Sequence, residues 1–141
     1  MIWILIQVVL GLILVWPFNG WDYGAEAIPG YGIVMIGLAG LFWTLRHNRP
    51  ANWQVSPQVK SGAHLIRSGP YYWVRHPMYS ASLIFLFGFV LLDRHWIDVL
   101  AWLLMGVTFL VKSRIEDRCL MKAFPEYEAY CQSTGAFFPR L

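Results

Sequence analysis

Four stretches of the chain are apolar and nearly free of charge: Met1 to Trp16, Tyr31 to Leu45, Met78 to Leu92, and Ile97 to Val111, the last interrupted only by Asp98. Each is shorter than the roughly 20 residues a perpendicular membrane span prefers, so a buried soluble core competes with a reading as four spans. The third and fourth runs are separated by so few residues that they must form an antiparallel helical hairpin. Beyond them, Ser113 to Phe124 reads as a helix stopped by Pro125, followed by a short turn carrying Glu126, Tyr127, Glu128 and Tyr130.

Charge placement decides between the two readings. The loop from Pro17 to Gly30 holds Asp22 and Glu26 and no basic residue, whereas Arg46, Arg49, Lys60, Arg67 and Arg75 lie between the second and third runs. Lys112, Arg114, Arg118, Lys122 and Arg140 follow the fourth, so with four spans every basic residue except Arg94 falls on one side. This positive-inside asymmetry predicts an all-α integral membrane protein of about four transmembrane helices, multi-pass, with both termini cytoplasmic. Trp16, Trp21, Trp43, Trp53, Trp73 and Trp96 fall near the span ends, where amphipathic rings prefer the interface.

Composition agrees: the 141 residues are 57% hydrophobic, 17% aromatic and 13% charged, against about 25% charged in ordinary globular chains. The net charge of +3 reflects topology, since the basic residues form no stripe of the kind nucleic-acid binding needs. Cys119 and Cys131 have no neighbouring Cys or His at ligand spacing, and His47, His64 and His95 show none either, which argues against a metal site or disulfide framework. Met1-Ile2-Trp3 lacks the basic leader of a cleaved signal, so the first run reads as a retained anchor. A single domain over 1–141 is expected, with two spans in 1–45, a cytoplasmic loop over 46–76, the hairpin over 77–112 and a cytoplasmic C-terminal segment over 113–141. Gly32, Gly37 and Gly40 of the second run suit close helix packing, within one chain or between two.

Polar chemistry concentrates at the mouth of the hairpin. Pro77 suits a first helical position, which puts Arg75 and His76 beside the positive end of the following helix, a geometry suited to an anionic ligand group. On the helix after the hairpin, Glu116 shares a face with Leu120, Ala123 and Phe124, so it needs a cation, a donor or a ligand. An ion pair with Arg75 would serve as well as a ligand. Asp117 aligns with Arg114 and Met121 and is expected to be solvated, paired with Arg114. His76 has an alternative reading as an interfacial histidine bonded to backbone, and Tyr127 and Tyr130 read as anchors of the C-terminal segment.

Gly69-Pro70-Tyr71 with Arg75-His76-Pro77-Met78-Tyr79, the hairpin, Arg114-Ile115-Glu116-Asp117, Phe124-Pro125-Glu126-Tyr127 and Phe137-Phe138-Pro139 together resemble the isoprenylcysteine carboxyl methyltransferase family. The related phospholipid methyltransferases share this plan. The resemblance covers about residues 55 to 141. It implies S-adenosylmethionine as cofactor, held in a cytoplasmic pocket formed by the hairpin ends and the C-terminal helical segment, with a lipophilic or prenylated acceptor arriving from the bilayer. By position it assigns Ala63, His64, Leu65, Ile66, Tyr71, Arg75, His76, Pro77, Met78, Tyr79 and Glu116 to the cofactor. Arg114 and Lys112 are both candidates for the substrate-side cation. Asp117 stands where the family usually has a second glutamate, Pro125 replaces its usual glycine with one residue deleted nearby, and Ala136 stands where a basic residue often precedes the closing motif.

Methyl transfer to a carboxylate needs no strong base, since a carboxyl with a reference pKa of about 4 is already ionised at neutral pH. The absence of a nucleophile-base-orienter set is therefore consistent with this reading. The rivals are a membrane reductase of the sterol reductase type using NADPH and a non-catalytic membrane scaffold. Pro77-Met78-Tyr79-Ser80-Ala81 departs from the asparagine and Gly-Asp pair that such reductases tend to carry.

Overall fold

The computed structural model describes residues 2–48 and 65–140. Ala63, His64 and Trp53 lie outside the described residues. Five helices follow in order: α1 (Ile2–Val15), α2 (Ile28–His47), α3 (Pro77–Asp93), α4 (Trp96–Ala123) and α5 (Tyr127–Ser133). Short 3-10 turns at Ala25–Ala27 and Gly69–Tyr72 lead toward α2 and α3. Among the described residues there is no strand, and the one extended pairing is an isolated bridge between Val74 and Gly135.

Prolines start two of the helices where a missing N–H costs nothing: Pro29 in the first turn of α2 and Pro77 at the first position of α3. The α3–α4 reversal is made by Arg94, held in the left-handed region at φ 54°, with its N–H returning to the carbonyl of Val90 at 3.0 Å. Its guanidinium reaches Glu26 at 3.0 Å and Asp22 at 3.3 Å, tying the loop before α2 to the hairpin turn.

Two helical stretches are long and apolar enough to cross a membrane, Ala25–His47 and Trp96–Ala123. The 14-residue α1 and 17-residue α3 are also apolar but shorter. α4 has 28 residues, or about 42 Å at ~1.5 Å per residue, well beyond a hydrocarbon core of about 30 Å. Its apolar part stops at Val111, and the continuation carries Lys112, Arg114, Glu116, Asp117, Arg118 and Lys122. The expected boundary between 112 and 113 is therefore no break in the helix. One rigid rod carries the apolar run and the charged turns together.

α2 packs along α3, and α1 packs against α4. The α2–α3 contact needs glycine: a Cβ on Gly37 would stand 2.4 Å from the backbone of Phe85, and one on Gly88 would stand 2.5 Å from Val34. Gly40 faces Ala81 less tightly, whereas Gly32 meets nothing within 4 Å. Two of the three glycines singled out in the second run thus serve packing inside one chain. Leu10 and Leu14 of α1, Leu86 and Val90 of α3, and Ala101, Met105 and Phe109 of α4 form the buried core. The side chains on most other faces are exposed and apolar, including Leu5, Leu12, Met35, Ile36, Leu103 and Val107.

Candidate functional site

The site is built where the start of α3, the charged end of α4 and the C-terminal tail meet. Gly69 enters with φ +60°, and a Cβ there would fall 2.3 Å from the His47 ring at the end of α2, so the turn requires glycine on both counts. The chain then lies against the tail: Arg75 N–H donates to the carbonyl of Gly135 at 2.9 Å and His76 N–H to that of Ala136 at 3.0 Å. The hydroxyl of Ser80 donates to the carbonyl of Phe137 at 2.7 Å. Gly135 is as constrained as Gly69, since a Cβ would collide with the carbonyl oxygen of Phe138.

These backbone bonds aim the motif side chains at α4. His76 is 8% exposed, its Nε2 is 2.8 Å from Asp117 Oδ1 and its Nδ1 is 3.6 Å from Glu116 Oε2. Because a carboxylate only accepts, Nε2 carries the proton in this pair. The imidazole stacks on Tyr79 with ring centroids 5.5 Å apart, and Tyr79 stacks on Phe109 at 4.6 Å. Phe137 from the tail covers His76 and Tyr79 at about 6.0 and 6.3 Å.

The two neighbouring carboxylates of α4 have different surroundings. The Tyr79 hydroxyl donates to Glu116, lying 2.7 and 2.8 Å from its two oxygens, and Lys112 Nζ lies 3.9 Å away. The Glu116 side chain remains 23% accessible. Lys112 is 9% exposed and also stands 5.4 Å from the centre of the Tyr79 ring. Tyr71 completes this side, for burial and the charge of Glu116 push its hydroxyl up to about 12.

Asp117 is enclosed by donors and is not the solvated partner of Arg114 that helical spacing suggested. It accepts from His76 Nε2, from the Tyr127 hydroxyl and, at 3.5 Å, from Arg75 Nη2. Burial opposes its ionisation, but the hydrogen bond and charge of His76, the Tyr127 hydroxyl and the Arg75 guanidinium outweigh that and hold the carboxyl below its usual range. The same partnership, after burial, drives the Tyr127 hydroxyl far up. Arg75 also donates to the carbonyls of Cys131, at 3.2 Å, and Thr134. It therefore fixes the C-terminal segment to α4 and pairs with Asp117, leaving Glu116 to others. Tyr130 is bonded to the carbonyl of Tyr71, and burial, partly offset by Arg75, raises its hydroxyl to about 12.

Of the residues singled out in the sequence, Tyr71, His76, Tyr79, Lys112 and Glu116 come together as one cluster. Arg75 abuts it through Asp117. Pro77 is buried at the helix start, while Met78, Leu65 and Ile66 are half-buried beside it in sequence or ahead of the Gly69 turn. Arg114 is exposed and forms no ion pair among the described residues, whereas Lys112 turns inward. Sequence reasoning missed Asp117 as a member, along with the covering role of Phe137. No local signal pointed to either, since their partners lie 41 and 57 residues away in the chain. A shallow cleft of about 600 Å³ opens on another side of the C-terminal segment, between Arg67, Tyr72, Trp73, Tyr130 and Arg140. It contains none of the cluster's carboxylates.

The cluster as a whole sets two cations, Arg75 and Lys112, against two carboxylates, Glu116 and Asp117, under an aromatic cover. Such an arrangement can receive a ligand that carries both signs of charge beside an apolar body.

A protein of Cupriavidus metallidurans named as cobalt-zinc-cadmium resistance protein CzcN is 37% identical over 78 residues, covering 55% of this chain and 36% of its own length. One of Alcaligenes xylosoxydans xylosoxydans named as nickel-cobalt-cadmium resistance protein NccN is 30% identical over 83 residues, 58% of this chain and 39% of its own. An uncharacterized protein of Schizosaccharomyces pombe is 26% identical over 140 residues, with 88% and 40% covered. The chain thus spans about two fifths of the length of the curated relatives it matches. The phospholipid methyltransferase family matches residues 25–127, from the turn before α2 to the start of α5, which takes in Tyr71, Arg75, His76, Tyr79, Lys112, Glu116 and Asp117. The chain belongs to this phospholipid methyltransferase family, the family of isoprenylcysteine carboxyl methyltransferase-like proteins.

Proposed function

We propose that the protein is an integral-membrane, S-adenosylmethionine-dependent methyltransferase acting on a lipophilic acceptor, the carboxylate of an isoprenylcysteine-like or other lipid. The observation that carries this reading is the division of labour between Glu116 and Asp117. Asp117 has its lone pairs occupied by His76, Tyr127 and Arg75, while Glu116 is oriented by one hydroxyl and keeps an accessible face. A carboxylate so held suits an ammonium group.

The residues present fit the cofactor. Glu116 would take its amino group, with Tyr79 fixing the carboxylate in place. His76 and the start of α3 would take its carboxylate, where the helix N-terminus favours an anion. Tyr71, Leu65 and Ile66 would pack the adenosine, joined by Ala63 and His64 from outside the described residues. Bound there, the cofactor supplies an electrophilic methyl group on a sulfonium. The chain's own contribution is placement: Lys112, buried at the inner edge of the cluster, holds an anionic acceptor by charge, and Phe137 with Phe109 keeps water from the stacked rings. Orientation alone can contribute roughly 7 to 11 kcal/mol in favourable cases.

Four spans accommodate this site, with α1 and α3 crossing beside the two longer helices, and the positive-inside bias puts the cluster and both termini on the cytoplasmic side. An acceptor would reach Lys112 laterally from the bilayer.

Transfer of labelled methyl groups by purified protein to a panel of lipid carboxylates and lipid amines tests the proposal. The reading predicts transfer to at least one lipophilic carboxylate. No transfer to any acceptor, with stabilisation by NADPH and none by S-adenosylmethionine, would favour the reductase instead.

A further inference from the structure

The cleft of about 600 Å³ beside the C-terminal segment stands apart from the carboxylate cluster and has a charge character of its own. Arg67 and Arg140 form part of its wall, and among the described residues that line it none is acidic. Tyr72, Trp73 and Tyr130 add aromatic rings, and Ser133 adds a hydroxyl.

Both guanidiniums keep donors to spare. Arg67 lies over the Tyr130 ring, 5.8 Å from its centre, and meets Glu126 only across 3.8 Å, where both side chains are about half exposed. So open an ion pair contributes little. The further bond from Arg67 to the backbone carbonyl of Glu126 is 3.4 Å long. Arg140 donates from Nη1 to the carbonyl of Gln132 at 2.8 Å and forms no ion pair among the described residues. A guanidinium offers five donors in a planar fork that matches the oxygens of a phosphate.

The cleft lies level with the end of an apolar helix. Trp73 comes just ahead of Pro77, the first residue of α3. The tail that supplies the facing wall is bonded at the same height, since the N–H groups of Arg75 and His76 donate to the carbonyls of Gly135 and Ala136. Aromatic rings here are left outside: Tyr72 is 69% exposed, Trp73 56%, and Phe138, next to the lining residue Pro139, 81%. Water alone gives such rings no reason to stay out, whereas the head-group level of a bilayer favours them. Basic residues at that level attract anionic lipid.

We propose that this cleft binds the phosphate head group of an anionic membrane lipid, with Arg67 and Arg140 on the phosphate and the exposed rings of Tyr72 and Trp73 against the glycerol and upper acyl region. The inference rests on the membrane placement proposed above and on no part of the methyl-transfer chemistry. Phosphatidylcholine carries the same phosphate, but its ammonium finds no carboxylate among the described lining residues. Free phosphate lacks the apolar part that the rings would cover.

Thermal unfolding of the full chain in maltoside micelles, without S-adenosylmethionine, tests the proposal separately from methyl transfer. Phosphatidylglycerol should raise the Tm of the wild type well above the effect of phosphatidylcholine at equal mole fraction or of inorganic phosphate at equal concentration. A ligand of the native state stabilises according to its concentration over its dissociation constant. In Arg67→Gln/Arg140→Gln the mole fraction of phosphatidylglycerol needed for a given rise should therefore increase by about tenfold or more. Arg118→Gln/Lys122→Gln removes the same charge from exposed residues of α4 outside the cleft and should respond as the wild type does. If the cleft variant fails to fold, crosslinking of the wild type with photoactivatable phosphatidylglycerol decides. Label should then fall within residues 67–73 or 129–140 and be displaced by phosphatidylglycerol but not by phosphatidylcholine. No response to phosphatidylglycerol, an equal response to phosphatidylcholine or to inorganic phosphate, an equal loss in the two double variants, or label confined to other segments overturns the site.

Discussion

His76 donates from Nε2 to Asp117 at 2.8 Å, joining the first residue ahead of α3 to the charged end of α4. This bond closes the hairpin at the end where α4 carries its charged turns. Tyr127 and Arg75 reach the same carboxylate, so the C-terminal segment is fixed at the same point. Asp117 thereby fixes three elements at one point, while its neighbour Glu116 keeps an accessible face.

Asp117→Asn should destabilise the protein without abolishing its secondary structure. Replacing the carboxylate weakens charge-assisted bonds that contribute about 1.5 to 3 kcal/mol. A fall in Tm of about 4 to 10 °C in detergent is expected. An unchanged Tm would show that the bonds to Asp117 carry no net stability.

Stability should also depend on acid through the same residue. Its carboxyl is held below its usual range in the folded state, so its contribution is fully present above the unfolded value of about 4. That contribution is lost as pH falls through the folded value. Thermal unfolding of the wild type should show this acid limb, and Asp117→Asn should lack the part that Asp117 supplies.

The α2–α3 contact predicts a contrast between two glycines. Gly37→Ala puts a methyl against the backbone of Phe85, which cannot move away as a flexible side chain would; a loss of about 1 to 3 kcal/mol is expected. Gly32→Ala meets open space and should be neutral or stabilising by about 0.5 kcal/mol or more through helix propensity. Denaturation of the two variants side by side checks the difference.

Tyr79→Phe removes the hydroxyl that orients Glu116 and keeps the stack between His76 and Phe109. The fold should survive, while affinity for S-adenosylmethionine should drop about tenfold or more, the equivalent of about 1.5 kcal/mol for a bond to a charged group. Calorimetric titration of wild type and variant measures it.

The helical plan was legible because apolar runs and prolines are local signals. The four runs correspond to α1 through α4, and Pro77 marks the start of α3. Helix extents were less legible. α2 begins at Ile28, three residues before the apolar run, and α4 continues through Lys112 because charged residues favour a helix as well as apolar ones do. At the site, helical spacing placed Glu116 on an apolar face but assigned Asp117 to Arg114. The spacing rule sees only one helix, and the donors that enclose Asp117 come from the start of α3 and from α5. The inward turn of Lys112 was likewise beyond the spacing rule, because it depends on the Tyr79 ring, over which Lys112 folds.

The central claim is that Glu116 binds the amino group of S-adenosylmethionine, and calorimetric titration of the cofactor into purified wild-type protein and Glu116→Gln tests it most directly. The account predicts saturable binding by the wild type and a loss of about tenfold to a hundredfold in affinity for the variant, as expected for removal of a charge-assisted bond. Equal affinity for the two proteins, or no binding to the wild type, would contradict it.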